Sequence, residues 1–202
     1  MTLPAPFLED LASAAVREGL ADAVFTRLSS PIGRLLVVQG PRGLVRIGFE
    51  EEPEDTALAE VARRIGPRVV ASDRELAATR DALSAYLEGG PGAGAGLAGL
   101  PVDLSLVASP FRRTVLETLH REIGPGRTVF YGALAERAGH PRAARAVGTA
   151  MARNPIPLAV PCHRVLPGSG GIGSYGGGAA RKRALLELEG ALVSPRRPSR
   201  SR

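Results

Sequence analysis

Tryptophan is absent from this 202-residue chain, cysteine occurs once and methionine twice. One cysteine excludes an internal disulfide and any zinc site built from clustered thiolates. With three Tyr and five Phe, the interior must be filled mainly by Leu, Val and Ala. No stretch approaches the run of about 18 apolar residues that a membrane span needs. Glu9 and Asp10 interrupt the early apolar residues, so no secretory leader is read there. These absences predict a soluble, cytoplasmic protein with no membrane partner and no metal site.

Lysine is nearly absent too. Lys182 stands alone against 25 arginines. Coding bias accounts for arginine replacing lysine, but not for where the charges lie. Residues 1–100 carry 10 arginines and 14 acids, whereas residues 101–202 carry 16 basic and 6 acidic residues. The net charge of +6 therefore hides an acidic half beside a basic one. Such segregation points to a polyanionic partner for the second half.

Apolar residues Leu8, Leu11, Ala12, Ala15, Val16, Leu20 and Val24 recur at three- and four-residue steps, which predicts a helix over 7–27. Two apolar β-rich runs, 35–38 and 44–49, flank a Gly/Pro loop and predict a hairpin. Helices are predicted over 56–65 and 74–87. Gly89 to Gly96 is glycine-rich and reads as flexible linker. The expected division is a helical extension over 1–28, an α/β domain over 29–90, a linker over 91–104, a helical domain over 105–192 and a disordered basic tail over 193–202.

From Ser109 the pattern sharpens. Ser109 can cap a helix with Pro110 in its first turn, followed by the stripe Phe111, Val115, Leu119 and Ile123. A second helix is predicted over 131–138, stopping at Gly139, and a third from Pro141 to about Arg153. Two short helices joined by a brief glycine-containing turn suggest helix-turn-helix geometry. Ala144, Val147 and Met151 share one face of the third helix, and Arg142, Arg145 and Thr149 the other.

The only thiol, Cys162, follows Ile156-Pro157-Leu158-Ala159-Val160-Pro161 and precedes His163 and Arg164. The proline-bracketed apolar run reads as a buried strand segment ending in a rigid turn. A lone cysteine most often serves as a small buried hydrophobe. As a nucleophile it needs a base or a positive neighbour, because an ordinary thiol of pKa about 8.5 is only slightly ionised at neutral pH. His163 and Arg164 could supply either.

Four blocks in order carry a more specific signal. They are Arg145-Ala146-Val147-Gly148, Asn154-Pro155-Ile156-Pro157 leading to Cys162-His163-Arg164-Val165, Tyr175-Gly176-Gly177-Gly178, and Arg181-Lys182-Arg183-Ala184-Leu185-Leu186-Glu187-Leu188-Glu189. Together they resemble the O6-alkylguanine-DNA alkyltransferases, also called methylated-DNA-protein-cysteine methyltransferases, over roughly residues 109–190. The resemblance implies an α+β fold, with a ribonuclease H-like N-terminal part and a winged-helix-like DNA-binding part that carries the cysteine.

It also implies single-turnover DNA repair without a cofactor, in which an alkyl group passes from guanine O6, or thymine O4, to the protein. Cys162 would be the acceptor, His163 the base acting through water, Glu189 its orienting partner and Asn154 the brace of the turn. Arg145, Tyr131, Arg142, Ala144 and Gly148 would contact DNA, with Arg145 filling the space of an everted nucleotide. Val165, Met151, Tyr175, Gly176 and Gly177 would form the base pocket. The implied partner is alkylated duplex DNA, bound by a monomer through its minor groove.

Some positions depart from the family pattern. Gly176 stands where Ser or Ala is common, Leu116 where Trp is frequent, and Gly124-Pro125-Gly126-Arg127-Thr128 replaces a Pro-Tyr-Gly-Glu-Thr turn. Zinc ligands like those of some relatives are missing. Two rival readings are a non-catalytic sensor of alkylated bases, which Cys162 argues against, and a cysteine hydrolase or acyltransferase unrelated to DNA, which leaves Arg145 and the charge split unexplained.

Overall fold

Residues 23–30, 33–40 and 43–49 form three successive antiparallel strands in a computed structural model that describes residues 3–89 and 93–192. These are β1 (Ala23–Ser30), β2 (Gly33–Gly40) and β3 (Gly43–Phe49), and β4 (Val69–Ala71) adds in parallel to β1, giving the order β3-β2-β1-β4. The apolar run of β2 splits by the two-residue period of a strand. Leu35 and Val37 face one core cluster, and Leu36 and Val38 face another. Both sheet faces are therefore covered. Helix α2 (Glu54–Arg64) covers the second face through Ala57 and Val61.

The first 28 residues differ from the expected helical extension. Helix α1 (Ala5–Arg17) ends early, and Val24 belongs to β1. Gly19 at φ +66° supplies the left-handed residue that closes a helix. Beyond it, pairing with β2 from Val24 to Ser30 wins over helical periodicity.

The stretch expected as a linker is partly built into the fold. Residues 90–92 lie outside the description, but α4 (Ala93–Ala98) follows α3 (Ala77–Glu88), and Leu97 is fully buried. Residues 101–103 then dock on the free edge of β3. Leu44 N donates to Pro101 O at 2.8 Å, and Asp103 N to Leu44 O at 2.7 Å. Glycine is required at position 43, where a Cβ would sit 2.3 Å from Pro101 O. The 193–202 tail lies outside the described residues.

The second half packs α5 (Pro110–Glu122), α6 (Tyr131–Arg137), α7 (Ala144–Ala152) and α8 (Gly178–Leu188) together. Ser109 Oγ caps α5 by accepting from Arg112 N. Helix α7 starts three residues later than predicted, because Arg142 sits at φ +74° and residues 141–143 are used as turn. One core cluster joins the halves, from Leu35, Val37 and Leu83 to Val115, Leu116, Leu119, Val147 and Leu185. Leu116, in place of a frequent Trp, is fully buried there. Arg181 of α8 fastens the halves outside the core. It pairs with Glu50 and Glu51, donates to the Ile32 and Gly177 carbonyls and lies over the Phe49 ring. Among the described residues no helix is long and apolar enough to cross a membrane.

Candidate active site

The run before the cysteine is buried, as its composition implies, but it is not a strand. Pro155, Pro157 and Pro161 have no N–H to give a ladder. The chain turns instead, with Leu158 at φ +74° and Val160 N donating to Ile156 O at 2.8 Å. Asn154 spans the turn. Its Nδ2 donates to Val160 O at 2.8 Å, and its Oδ1 accepts from Ile156 N at 3.0 Å. Cys162 opens a single 3-10 turn, Cys162–Arg164, and β6 (Val165–Leu166) leaves it. Strand β6 pairs in parallel with β5 (Val129–Phe130), Val165 opposite Val129, which sets the thiol beside Tyr131 at the start of α6.

Cys162 is 5% exposed and His163 fully buried. His163 Nε2 lies 3.1 Å from Glu189 Oε1, and its Nδ1 is buried without a hydrogen bond among the described residues. Glu189, one residue past α8, is clamped by Arg164, whose Nη2 donates to Oε1 at 2.7 Å and whose Nε donates to Oε2 at 2.9 Å. Burial pushes the Glu189 carboxyl up, yet hydrogen bonds from His163 and Arg164 prevail and hold it well below the usual carboxylate range. Burial pulls His163 down from 6.5, opposed by Glu189. Burial pushes the Cys162 thiol up, opposed by the Asn154 side chain and the Lys182 charge. At rest the pair is therefore a neutral thiol and a neutral imidazole. With Nε2 directed at a carboxylate, the ring proton sits there and Nδ1 keeps a free lone pair.

Three hollows surround this centre. A cavity of about 170 Å³ is lined by Tyr131, Gly148, Met151, Cys162, Tyr175 and Gly176. A shallow groove of about 530 Å³ shares Tyr131 and Gly148 with it and adds Ala144 and Arg145. A wider cleft of about 580 Å³ reaches Cys162, Asn154 and Met151 from the side of β3 and α2. Six of the residues named from sequence thus meet around one cavity, and Ala144 and Arg145 line its approach. Arg142 is exposed and lines none of the three. Val165 is buried behind the thiol, and Gly177 lies against Phe49 and Tyr175, whose rings a Cβ would meet at 2.9 and 3.0 Å. Gly176 has open space on its Cβ side.

Three residues escaped the sequence reading. Lys182 is fully buried, and its Nζ donates to the carbonyls of Val165 and Ser174. Its being the only lysine was the available signal. Arg164, next to the thiol in sequence, serves Glu189 instead. Tyr86 of α3 donates to Glu189 Oε1 at 2.6 Å. No sequence signal links residues 103 positions apart. The N-terminal half therefore reaches the centre. Among the described residues no cluster of His, Cys, Asp and Glu could hold a metal ion.

The family profile described as 6-O-methylguanine DNA methyltransferase, DNA binding domain, matches residues 110–191. The methylated-DNA-protein-cysteine methyltransferase of Mycobacterium tuberculosis is 47% identical over 109 residues, 54% of this chain and 62% of the relative, so that alignment spans under two thirds of the relative's length. The protein of the same name from Mycolicibacterium paratuberculosis is 36% identical over 168 residues, 82% of this chain and 91% of the relative. A crystal structure of the Mycobacterium tuberculosis protein in complex with DNA superposes with a TM-score of 0.65 at 34% identity, covering 82% of this chain and 92% of that one. By fold and by sequence over most of its length, the chain belongs to the methylated-DNA-protein-cysteine methyltransferase family.

Proposed function

We propose that this chain repairs alkylated duplex DNA by moving an alkyl group from guanine O6 to Cys162, once per molecule. The observation that carries the reading is the position of the only thiol. It lines a 170 Å³ cavity that shares Tyr131 and Gly148 with the groove bearing Arg145. A base inside a duplex has to be everted to present O6 to such a cavity. Arg145 fills the gap in the stack, and helix α7 that carries it enters the minor groove, as side-chain wedges do elsewhere.

In the reaction, His163 Nδ1 takes the thiol proton through a water. The sulfur electron pair forms the S–C bond, the C–O6 bond breaks and its pair stays on the guanine; Tyr131 donates a proton to that anion, and the imidazolium of His163 returns its proton to the Tyr131 oxygen through water. Glu189 stabilises the imidazolium that forms. The damaged base supplies the alkyl group, so no cofactor takes part. Water does not readily cleave a thioether and the sequence holds no second thiol, which makes the transfer stoichiometric. The protein works as a cytoplasmic monomer. Its N-terminal sheet and helices are ribonuclease H-like, and α5 to α7 with the β5-β6 pair are winged-helix-like.

The test is intact mass after incubation with duplex DNA containing O6-methylguanine. The expected result is one added methyl per protein, on the peptide holding Cys162, and no addition with Cys162→Ala, which still binds duplex. Binding without methylation of the wild type favours the sensing rival. Repeated turnover of a thioester substrate favours a hydrolase. Either outcome overturns the proposal.

A further inference from the structure

We infer that Tyr86, on α3 of the N-terminal half, is a positioning residue for the transfer: its hydroxyl holds Glu189 so that His163 keeps its proton on Nε2 and Nδ1 stays free to accept. This rests on the alkyl-transfer reading above.

The ring of Tyr86 is 2% exposed, and α3 is anchored beside it by buried Leu83 and Leu87. A phenol this deep needs a partner for its hydroxyl. That partner is the catalytic carboxylate. Tyr86 Oη lies 2.6 Å from Glu189 Oε1, and His163 Nε2 lies 3.1 Å from the same oxygen. Oη and Nε2 are 3.4 Å apart. Burial and the Glu189 charge keep the phenol protonated, so Tyr86 donates. A carboxylate oxygen that takes a short bond from Tyr86 and another from Arg164 Nη2 has its charge shared before the imidazole reaches it. The result is a carboxylate strong enough to fix the tautomer and too well satisfied to hold the imidazole protonated at rest.

The other groups facing His163 do not replace this contact. Cys162 and Arg164 are its chain neighbours, and Lys182 of α8 offers only positive charge. Tyr175 meets the imidazole edge to face at 6.4 Å between ring centroids. Tyr86 is therefore the phenol that links the N-terminal half to the proton inventory of the site.

Tyr86→Phe keeps the ring and deletes the hydroxyl. With one donor fewer, Glu189 holds more charge toward His163 and favours the imidazolium. The rate of benzyl transfer from free O6-benzylguanine should then show its acid limb at higher pH. The expected loss is about fivefold at pH 6 and under about twofold at pH 8.5, with an unchanged far-ultraviolet spectrum. Ring-nitrogen NMR, assigned with His120→Gln and His140→Gln, should show His163 in the Nε2–H form in the wild type. In Tyr86→Phe it should titrate at higher pH. A loss equal at every pH, or a His163 proton on Nδ1 in the wild type, overturns the inference. Failure of the wild type to accept benzyl overturns the transfer reading instead, and the NMR comparison still decides the role of Tyr86.

Discussion

Lys182 Nζ donates to the carbonyl of Val165 at 2.7 Å, with the whole lysine side chain out of solvent and, among the described residues, no carboxylate paired with it. The nearby Cys162 is the group whose ionisation that cation favours, and the thiolate in turn opposes the burial that lowers Lys182. A buried cation without a counter-ion is costly unless a negative charge develops next to it. The proposed alkyl transfer creates that charge on sulfur.

Lys182→Met should therefore slow the thiol more than it unfolds the protein. Two carbonyls lose a donor, which costs about 1–3 kcal/mol, while a desolvated charge is removed, so the net change is small. Loss of the cation raises the thiol further. Iodoacetamide labelling of Cys162 at pH 8 should fall about tenfold, because less of the thiol is ionised. A folded variant that labels at the wild-type rate contradicts the electrostatic role.

Stability should depend on acid in two steps. His163 titrates below its unfolded value of 6.5, so its contribution is complete above pH 6.5 and is lost as pH falls toward the lower folded value. Glu189 is also held low in the folded state, so its contribution is complete above 4.5 and fades below it. Urea midpoints should be flat from pH 7 to 8, decline below about 6.5 and decline again below about 4.5. Glu189→Gln strands the buried Arg164 cation and should cost about 3–5 kcal/mol at pH 7. Equal urea midpoints for that variant and the wild type would contradict the ion-pair assignment.

Arg145 is exposed and lines the groove, not the thiol cavity. Arg145→Ala should slow repair of duplex DNA by at least about tenfold, since eversion without a wedge leaves an unstacked gap costing a few kcal/mol. Reaction with free O6-benzylguanine should stay within about twofold, because no eversion is needed. Parallel single-turnover assays on both substrates check this, and equal losses refute the wedge.

Two adjacent glycines should behave oppositely. A Cβ at Gly177 would press on Phe49 at 2.9 Å and on Tyr175 at 3.0 Å, whereas one at Gly176 meets nothing within 4 Å. Gly177→Ala should cost about 1–3 kcal/mol and displace the Tyr175 wall of the cavity. Gly176→Ala should change stability by no more than about 0.5 kcal/mol. Thermal melts of both variants test the contrast.

The sequence determined the elements whose cause is local. Ser109 and Pro110 start α5, Gly139 at φ +78° stops α6, and the apolar β-rich runs of β2 and β3 make a hairpin. It also placed Cys162, His163 and Glu189 in a recognisable order. Only the tertiary structure decided that residues 23–28 form strand and not helix, because the partner strand that outweighs helical periodicity lies across a turn. It alone decided that Asn154 and three prolines bend the 154–161 run into turns. It alone brought Tyr86, Arg164 and Lys182 to the centre. Those contacts join residues far apart in the chain, and their energy comes from shared burial of charge and hydroxyl, which no local spacing encodes.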